Sequence, residues 1–192
     1  MGNEYQTTKT NRFYPGRISE QRARDIQNFD VTIDELTVDD ILHGIARNGT
    51  TILYTMFDIV KNMWGEEAAV KVWEEYTHRR AKAGFSKWLA KNGVNSGTPE
   101  LMAAYQDRAH SLSGPAAASA YTTYDDEKCV IIRTSCFYHS FRPEGMKSLC
   151  GYGEGKGFMS GYMEADPAIK KVERPRCLSH GDNGCTRIIW YK

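Results

Sequence analysis

Between Pro115 and Ala120 the hydrophobic period of this chain changes. Before that point apolar residues recur at intervals of three and four. After it, β-branched residues come in short runs bounded by turn residues. Helices gathered before that point, and strands with one glycine-rich helix among them after it, do not follow the regular alternating βαβ order of a parallel sheet. The expected class is therefore α+β, with a helical N-terminal half packed on a four-stranded antiparallel sheet. At 192 residues the chain is long enough for one sizeable core. Residues 37–192 are read as one domain, and 1–36 as an N-terminal arm in a dimer contact.

The helical half opens with DDILHGIAR, capped by Thr37 or Asp34. A second helix, TILYTMFDIVKNMWG, follows a cap at Asn48 or Thr50 and stops at Gly65. Its stripe of Ile52, Met56, Ile59, Val60 and Met63 predicts a core-facing side. GEEAAVKVWEEYTHRRAKAGFSKWLAKNG is the third, with Val72, Trp73, Tyr76, Phe85, Trp88 and Leu89 inward and Gly84 as a weak point. Thr98-Pro99-Glu100 then starts LMAAYQDRAHSL as a capped helix with proline at its first position. In the other half, residues 120–124 and CVIIRTSCFY read as a hairpin, with Cys136 near the end of its second strand. Residues 146–164 read as a glycine-rich helix, and that glycine density predicts close approach of another backbone or a ligand. Two closing strands meet at the turn Gly181-Asp182-Asn183-Gly184, where Asp182 serves the turn.

Charge is balanced at 25 basic against 24 acidic residues, and no basic stripe is interleaved with aromatics, so nucleic acid is not an expected partner. There is no run of about 20 apolar residues to span a membrane, and the first residues have no apolar centre of a signal peptide. A cytoplasmic protein is expected. The arm carries Phe13, Tyr14, Ile18, Ile26 and Phe29, too few apolar residues to fold on itself, which predicts a homodimer.

All five cysteines, at 129, 136, 150, 177 and 185, lie in the last third of the chain, an odd number that suits reduced thiols. The glycine-rich GKGFMSGYMEAD, the strand with Glu173, and CLSHGDNGCTRII resemble the 4-vinyl reductase-type ligand-binding domain. That resemblance implies a structural zinc (Zn2+) on Cys150, Glu173, Cys177 and Cys185. Cys177 comes four residues after Glu173 where the family has three, and His180 is the alternative ligand. Gly65-Glu66-Glu67-Ala68-Ala69, Cys136, Cys150 with Glu154, and Gly181-Asp182-Asn183-Gly184-Cys185 are closer still to L-2-amino-thiazoline-4-carboxylic acid hydrolase-like proteins. This second resemblance covers roughly residues 40–192 and implies hydrolysis of a C–N or C–S bond in a small heterocycle.

Cys136, with His139 three residues on, and Glu154 are the expected catalytic groups, beside Cys150 at a helix start where its thiolate would be favoured. Phe137, Tyr138, Phe158, Tyr162 and Trp190 would line the pocket for a small-molecule substrate. Its alternative is a binding module for an aromatic or heterocyclic ligand, with zinc only bracing the fold. The sensors that carry this domain have it fused to an ATPase and a DNA-binding module; ending at Lys192 without either, the chain favours the enzyme. His43, His78 and His110 are read as surface or packing residues.

Overall fold

The computed structural model of the protein describes residues 38–111 and 120–192; the arm and the turn around Pro115 lie outside them. Helices α1 (Val38–Trp64), α2 (Glu66–Lys91) and α3 (Pro99–Ser111) come first. Strands β1 (Ala120–Tyr124) and β2 (Lys128–Arg133) follow, then the short α4 (Phe137–Ser140), α5 (Lys156–Ala165), β3 (Lys171–Arg176) and β4 (Cys185–Trp190). The strands form one antiparallel sheet in the order β1-β2-β4-β3. This is the expected α+β arrangement.

Alternation fixes the inner face of the sheet. Cys129 and Ile131 of β2 and Cys185, Arg187 and Ile189 of β4 are buried, while their sequence neighbours are only partly covered. Phe85 and Leu89 of α2, Met102 and Ala103 of α3, and Tyr162 of α5 close over that face. A second cluster joins Tyr54, Phe57 and Val60 of α1 to Trp73 of α2, Tyr138, Leu149 and Tyr152.

Helix α5 lies along α2 because two glycines permit it. A Cβ on Gly157 would stand 2.0 Å from Thr77 Oγ1 and 2.1 Å from the Glu74 carbonyl oxygen, and one on Gly161 2.4 Å from the His78 carbonyl oxygen. The glycine-rich stretch thus admits a neighbouring backbone, as expected. Gly84 does not break α2; its missing side chain makes room for the Tyr105 hydroxyl, 2.5 Å from where a Cβ would be.

Four expectations need correction. The first two helices are one, since Asn48 and Gly49 lie inside α1. Thr50 and Thr51 donate to the carbonyls of Ala46 and Arg47 four residues back, the bonds of residues inside a helix rather than at its cap. The expected inward stripe of α1 also faces out: Ile52, Met56, Ile59 and Met63 are exposed, and of that set only Val60 is buried. A second stripe, Tyr54, Phe57 and Val60, takes the inside because the Tyr54 hydroxyl reaches the Tyr138 carbonyl and accepts the Leu149 N–H. Val72 and Tyr76 likewise face out from α2. Thirdly, β2 stops at Arg133, so Cys136 sits beyond the strand at the entrance to α4.

The fourth concerns 146–164, which is helical only from Lys156. Cys150 and Glu154 lie before it in 3-10 turns, Leu149–Gly151 and Gly153–Gly155, and Gly153 and Gly155 have φ of 66° and 75°. Extended backbone at Tyr152 ends the first turn, and left-handed backbone at Gly155 ends the second, before a helix can grow. Cys150 therefore has no α-helix start behind it.

Candidate functional site

A cavity of about 120 Å³ opens between the inner face of the sheet and the helices. Helix α2 supplies Arg80 to its wall, α3 Tyr105, Gln106 and His110, and α5 Phe158 and Tyr162. The sheet supplies Arg133, Arg174, Cys185 and Arg187, and the segment after β2 supplies Cys136, Phe137, Tyr138 and Cys150. Engineered cavities of about 150 Å³ take up benzene, so the space suits a ligand of one small ring or a short chain.

The wall carries four guanidinium groups and, among the described residues, no Asp or Glu. Arg187 occupies a core position of β4, opposite Ile131 in the register, and is 6% exposed. Its Nε is buried without a hydrogen-bond partner. The titratable neighbours that bear on it most are Arg133, Tyr162, Cys150 and Arg174, none of them a carboxylate. Burial first, then Arg133, hold its pKa down to about 10. Its guanidinium lies 5.3 Å and 5.8 Å from the ring centres of Phe158 and Tyr162, a cation–π placement. Arg174 is in a similar position: Nη1 donates to the Cys150 carbonyl at 3.0 Å, while Nη2 is buried without a partner.

His110 belongs to the same wall. Its Nε2 accepts from Arg133 Nε at 2.6 Å, which leaves Nδ1 to carry the proton and donate to the Gln106 carbonyl, also at 2.6 Å. The ring is neutral, since burial and then Arg133 lower its pKa to about 4. Arg80 donates to the Tyr138 hydroxyl at 2.9 Å.

Four thiols meet at this end of the fold in two pairs. Cys136 and Cys150 both face the cavity, and the Cys136 carbonyl accepts the His139 and Ser140 N–H groups, each at 2.8 Å. Interaction with the Cys150 thiol, opposed by burial and helped by Arg133, lowers the pKa of Cys136 to about 6, and the same interaction pushes Cys150 well above the ordinary thiol value. Cys177 and Cys185 lie 3.7 Å apart by sulfur. The bond from Cys185 outweighs burial and, with Ser179, brings Cys177 down to about 4, while Cys185 is pushed up. Asp182 accepts the Cys177 N–H at 2.7 Å, which is its turn role. Cys129 stands apart in the core, raised to about 12 by burial.

Four of the five expected pocket residues, Phe137, Tyr138, Phe158 and Tyr162, line the cavity, as do Cys136 and Cys150. Trp190 does not. It lies on the outer face of the sheet, where its Nε1 donates to Glu173 at 2.8 Å. His139 is also absent from the wall, with Nδ1 buried and unpartnered, and the side chain of Glu154 lies outside the described residues. The arginines and His110 were not foreseen. One signal was available: Arg187 falls between Cys185 and Ile189 on the inward parity of β4.

The residues present do not form the expected zinc site. Glu173 pairs with Ile188 across the sheet and is engaged by Lys171 and Trp190 on the face away from the thiols. Arg174, one residue on, turns its guanidinium to Cys150 instead. His180 is exposed. No group of three or more His, Cys, Asp or Glu side chains among the described residues is placed to hold a metal ion. The expectation of a metal-binding protein is corrected on that finding.

No known family model matches the chain, and no curated protein matches it. Among solved structures, the chain is similar to a trafficking protein particle complex subunit 3 from Naegleria fowleri covalently bound to palmitic acid. Identity is 18%, the match covers 76% of this chain and 95% of the other, and the TM-score is 0.43. With no metal-holding group among the described residues, the expectation of a zinc hydrolase gives way. No helix among the described residues is long and apolar enough to cross a membrane.

Proposed function

We propose that this protein binds a small organic anion with a flat apolar body in the arginine-lined cavity. Arg187 carries the reading. Leaving a guanidinium buried beside other arginines, without a carboxylate, costs several kcal/mol, and a bound anion removes that penalty. Rings of Phe158 and Tyr162 beside it favour an aromatic or heterocyclic body. Thermal-shift assays with carboxylate and amide pairs of one shape, such as phenylacetate and phenylacetamide, test this. At about 100 times its Kd a ligand adds about 2.7 kcal/mol, which raises the melting temperature by roughly 5 to 10 °C in a chain of this size. Only the anions should do so; equal shifts from the amides would remove the reading.

A homodimer through α1 forms part of the same proposal. Ile45, Ile52, Met56, Ile59, Met63 and Trp64 are each at least 44% exposed. Together they present on the order of 600 Å² of apolar surface, against about 800 Å² per partner in a standard interface. A second copy supplies a matching face by symmetry. Light scattering should show a dimer that Met56→Glu with Ile59→Glu converts to a monomer; a monomeric parent chain would refute it.

A further inference from the structure

The two thiols that flank the GDNG turn are set opposite each other by a shift in the sheet. Lys171, Val172 and Glu173 of β3 pair with Trp190, Ile189 and Ile188 of β4, but Arg176 pairs with Thr186. Three residues of β3 are thus passed for two of β4, a slip of one position. Without it Cys185 would face Arg176. With it, the next opposed pair is Cys177 and Cys185, since the backbone of Cys177 is still extended, at φ -150° and ψ 129°.

Directly opposed residues of an antiparallel pair have Cα atoms about 4.5 to 5.5 Å apart, inside the range of about 4.4 to 6.8 Å that a disulfide spans. The two sulfurs lie 3.7 Å apart and are hydrogen-bonded. An approach of about 1.7 Å brings them to bonding distance, which side-chain rotation can supply. The backbone around them is braced: the Leu178 N–H donates to Cys185 Sγ at 3.2 Å, and the Cys177 N–H to Asp182 at 2.7 Å. Both thiols are free, and they differ in access. Cys185 forms part of the cavity wall, whereas Cys177 is 1% exposed and is not part of that wall.

We propose that Cys177 and Cys185 form a reversible redox pair that small hydroperoxides, entering by the cavity, oxidise to a disulfide. The Cys185 sulfur attacks the outer oxygen of the peroxide. The O–O bond breaks, and the departing oxygen takes the thiol proton and leaves as water, or as an alcohol from an organic hydroperoxide, with Cys185 now a sulfenic acid. Cys177 then attacks the Cys185 sulfur; the S–O bond breaks, and the hydroxyl leaves as water with the Cys177 proton. Two thiols are thereby oxidised to one disulfide while one peroxide is reduced. Two equivalents of a low-molecular-weight thiol return the pair to its reduced state and are themselves joined as a disulfide. None of these steps calls on a bound anion.

The test uses the reduced full chain, freed of reductant, and hydrogen peroxide in modest excess. Intact mass spectrometry should show the loss of two hydrogens with no oxygen retained, and the digest should yield one peptide pair joined through Cys177 and Cys185. Dithiothreitol should restore the starting mass. Cys177→Ser should instead retain oxygen on Cys185, and Cys185→Ser should leave Cys177 unmodified over the time in which the parent chain reacts fully. The parent chain is decisive even if a variant fails to fold. No mass change, oxygen retained by the parent chain, or a link through any other pair of cysteines would overturn the proposal. Oxidation of Cys177 in Cys185→Ser as fast as in the parent would do the same, because the cavity would then not be the route.

Discussion

Replacing Arg187 with methionine should make the ligand-free protein more stable. Burial and Arg133 hold the guanidinium at about 10 against an ordinary 12.5, and a fall of that size corresponds to about 3 kcal/mol against folding with the charge in place. Both folded and unfolded chains carry that charge at neutral pH, so the penalty applies in full there. Methionine removes the charge and keeps most of the unbranched side-chain volume. It also removes the contacts over Phe158 and Tyr162, worth about 1 kcal/mol. The expected gain is about 1 to 2 kcal/mol, or roughly 2 to 8 °C in melting temperature. Denaturant titration and thermal unfolding of parent and variant, both freed of small molecules by unfolding and refolding, measure it. A loss of 1 kcal/mol or more would mean that the guanidinium is compensated within the empty fold, and the reasoning about the cavity would lose its basis.

Other consequences are open to the same kind of test. His110 binds its proton only near pH 4 when folded but near pH 6.5 when unfolded, so the unfolded chain takes up the proton first and stability falls as the pH drops from about 6.5 to 4. The full effect is about 3 kcal/mol, and His110→Gln should flatten that part of a stability–pH profile; an unchanged slope would contradict the burial. Gly157→Ala places a Cβ 2.0 Å from Thr77 Oγ1 and should destabilise by about 2 kcal/mol or more as α5 is pushed from α2, measured by denaturant midpoint. Gly49→Ala meets nothing within 4 Å inside α1 and should stabilise by about 0.5 to 1 kcal/mol; destabilisation would restore a break between two helices at that point.

The fold was legible where one local rule acted alone. The change of period located the sheet, Pro99 and Thr98 marked the start of α3, with the Leu101 N–H bonded to Thr98 Oγ1 at 3.2 Å, and GDNG gave the turn before β4, with Gly181 at φ 89°. It failed where two local readings competed. Thr50 serves as well inside a helix as at its cap, and α1 bears two apolar stripes, between which only tertiary bonds to Tyr54 choose. The site was half legible for a related reason. Aromatics and cysteines announce a pocket by type, whereas Arg133, Arg174 and Arg187 look like ordinary surface charges unless strand parity is followed residue by residue. Glu173 and Arg174 show how much that parity decides, since one residue of shift exchanges a carboxylate for a guanidinium beside the thiols.

Calorimetric titration of phenylacetate and of phenylacetamide into the parent chain and the Arg187→Met variant tests the anion-binding cavity most directly. The account predicts one site per chain for the carboxylate, weakened by added salt, no measurable heat with the amide, and loss of carboxylate binding in the variant. Equal binding of the amide, or undiminished carboxylate binding by Arg187→Met, would contradict it.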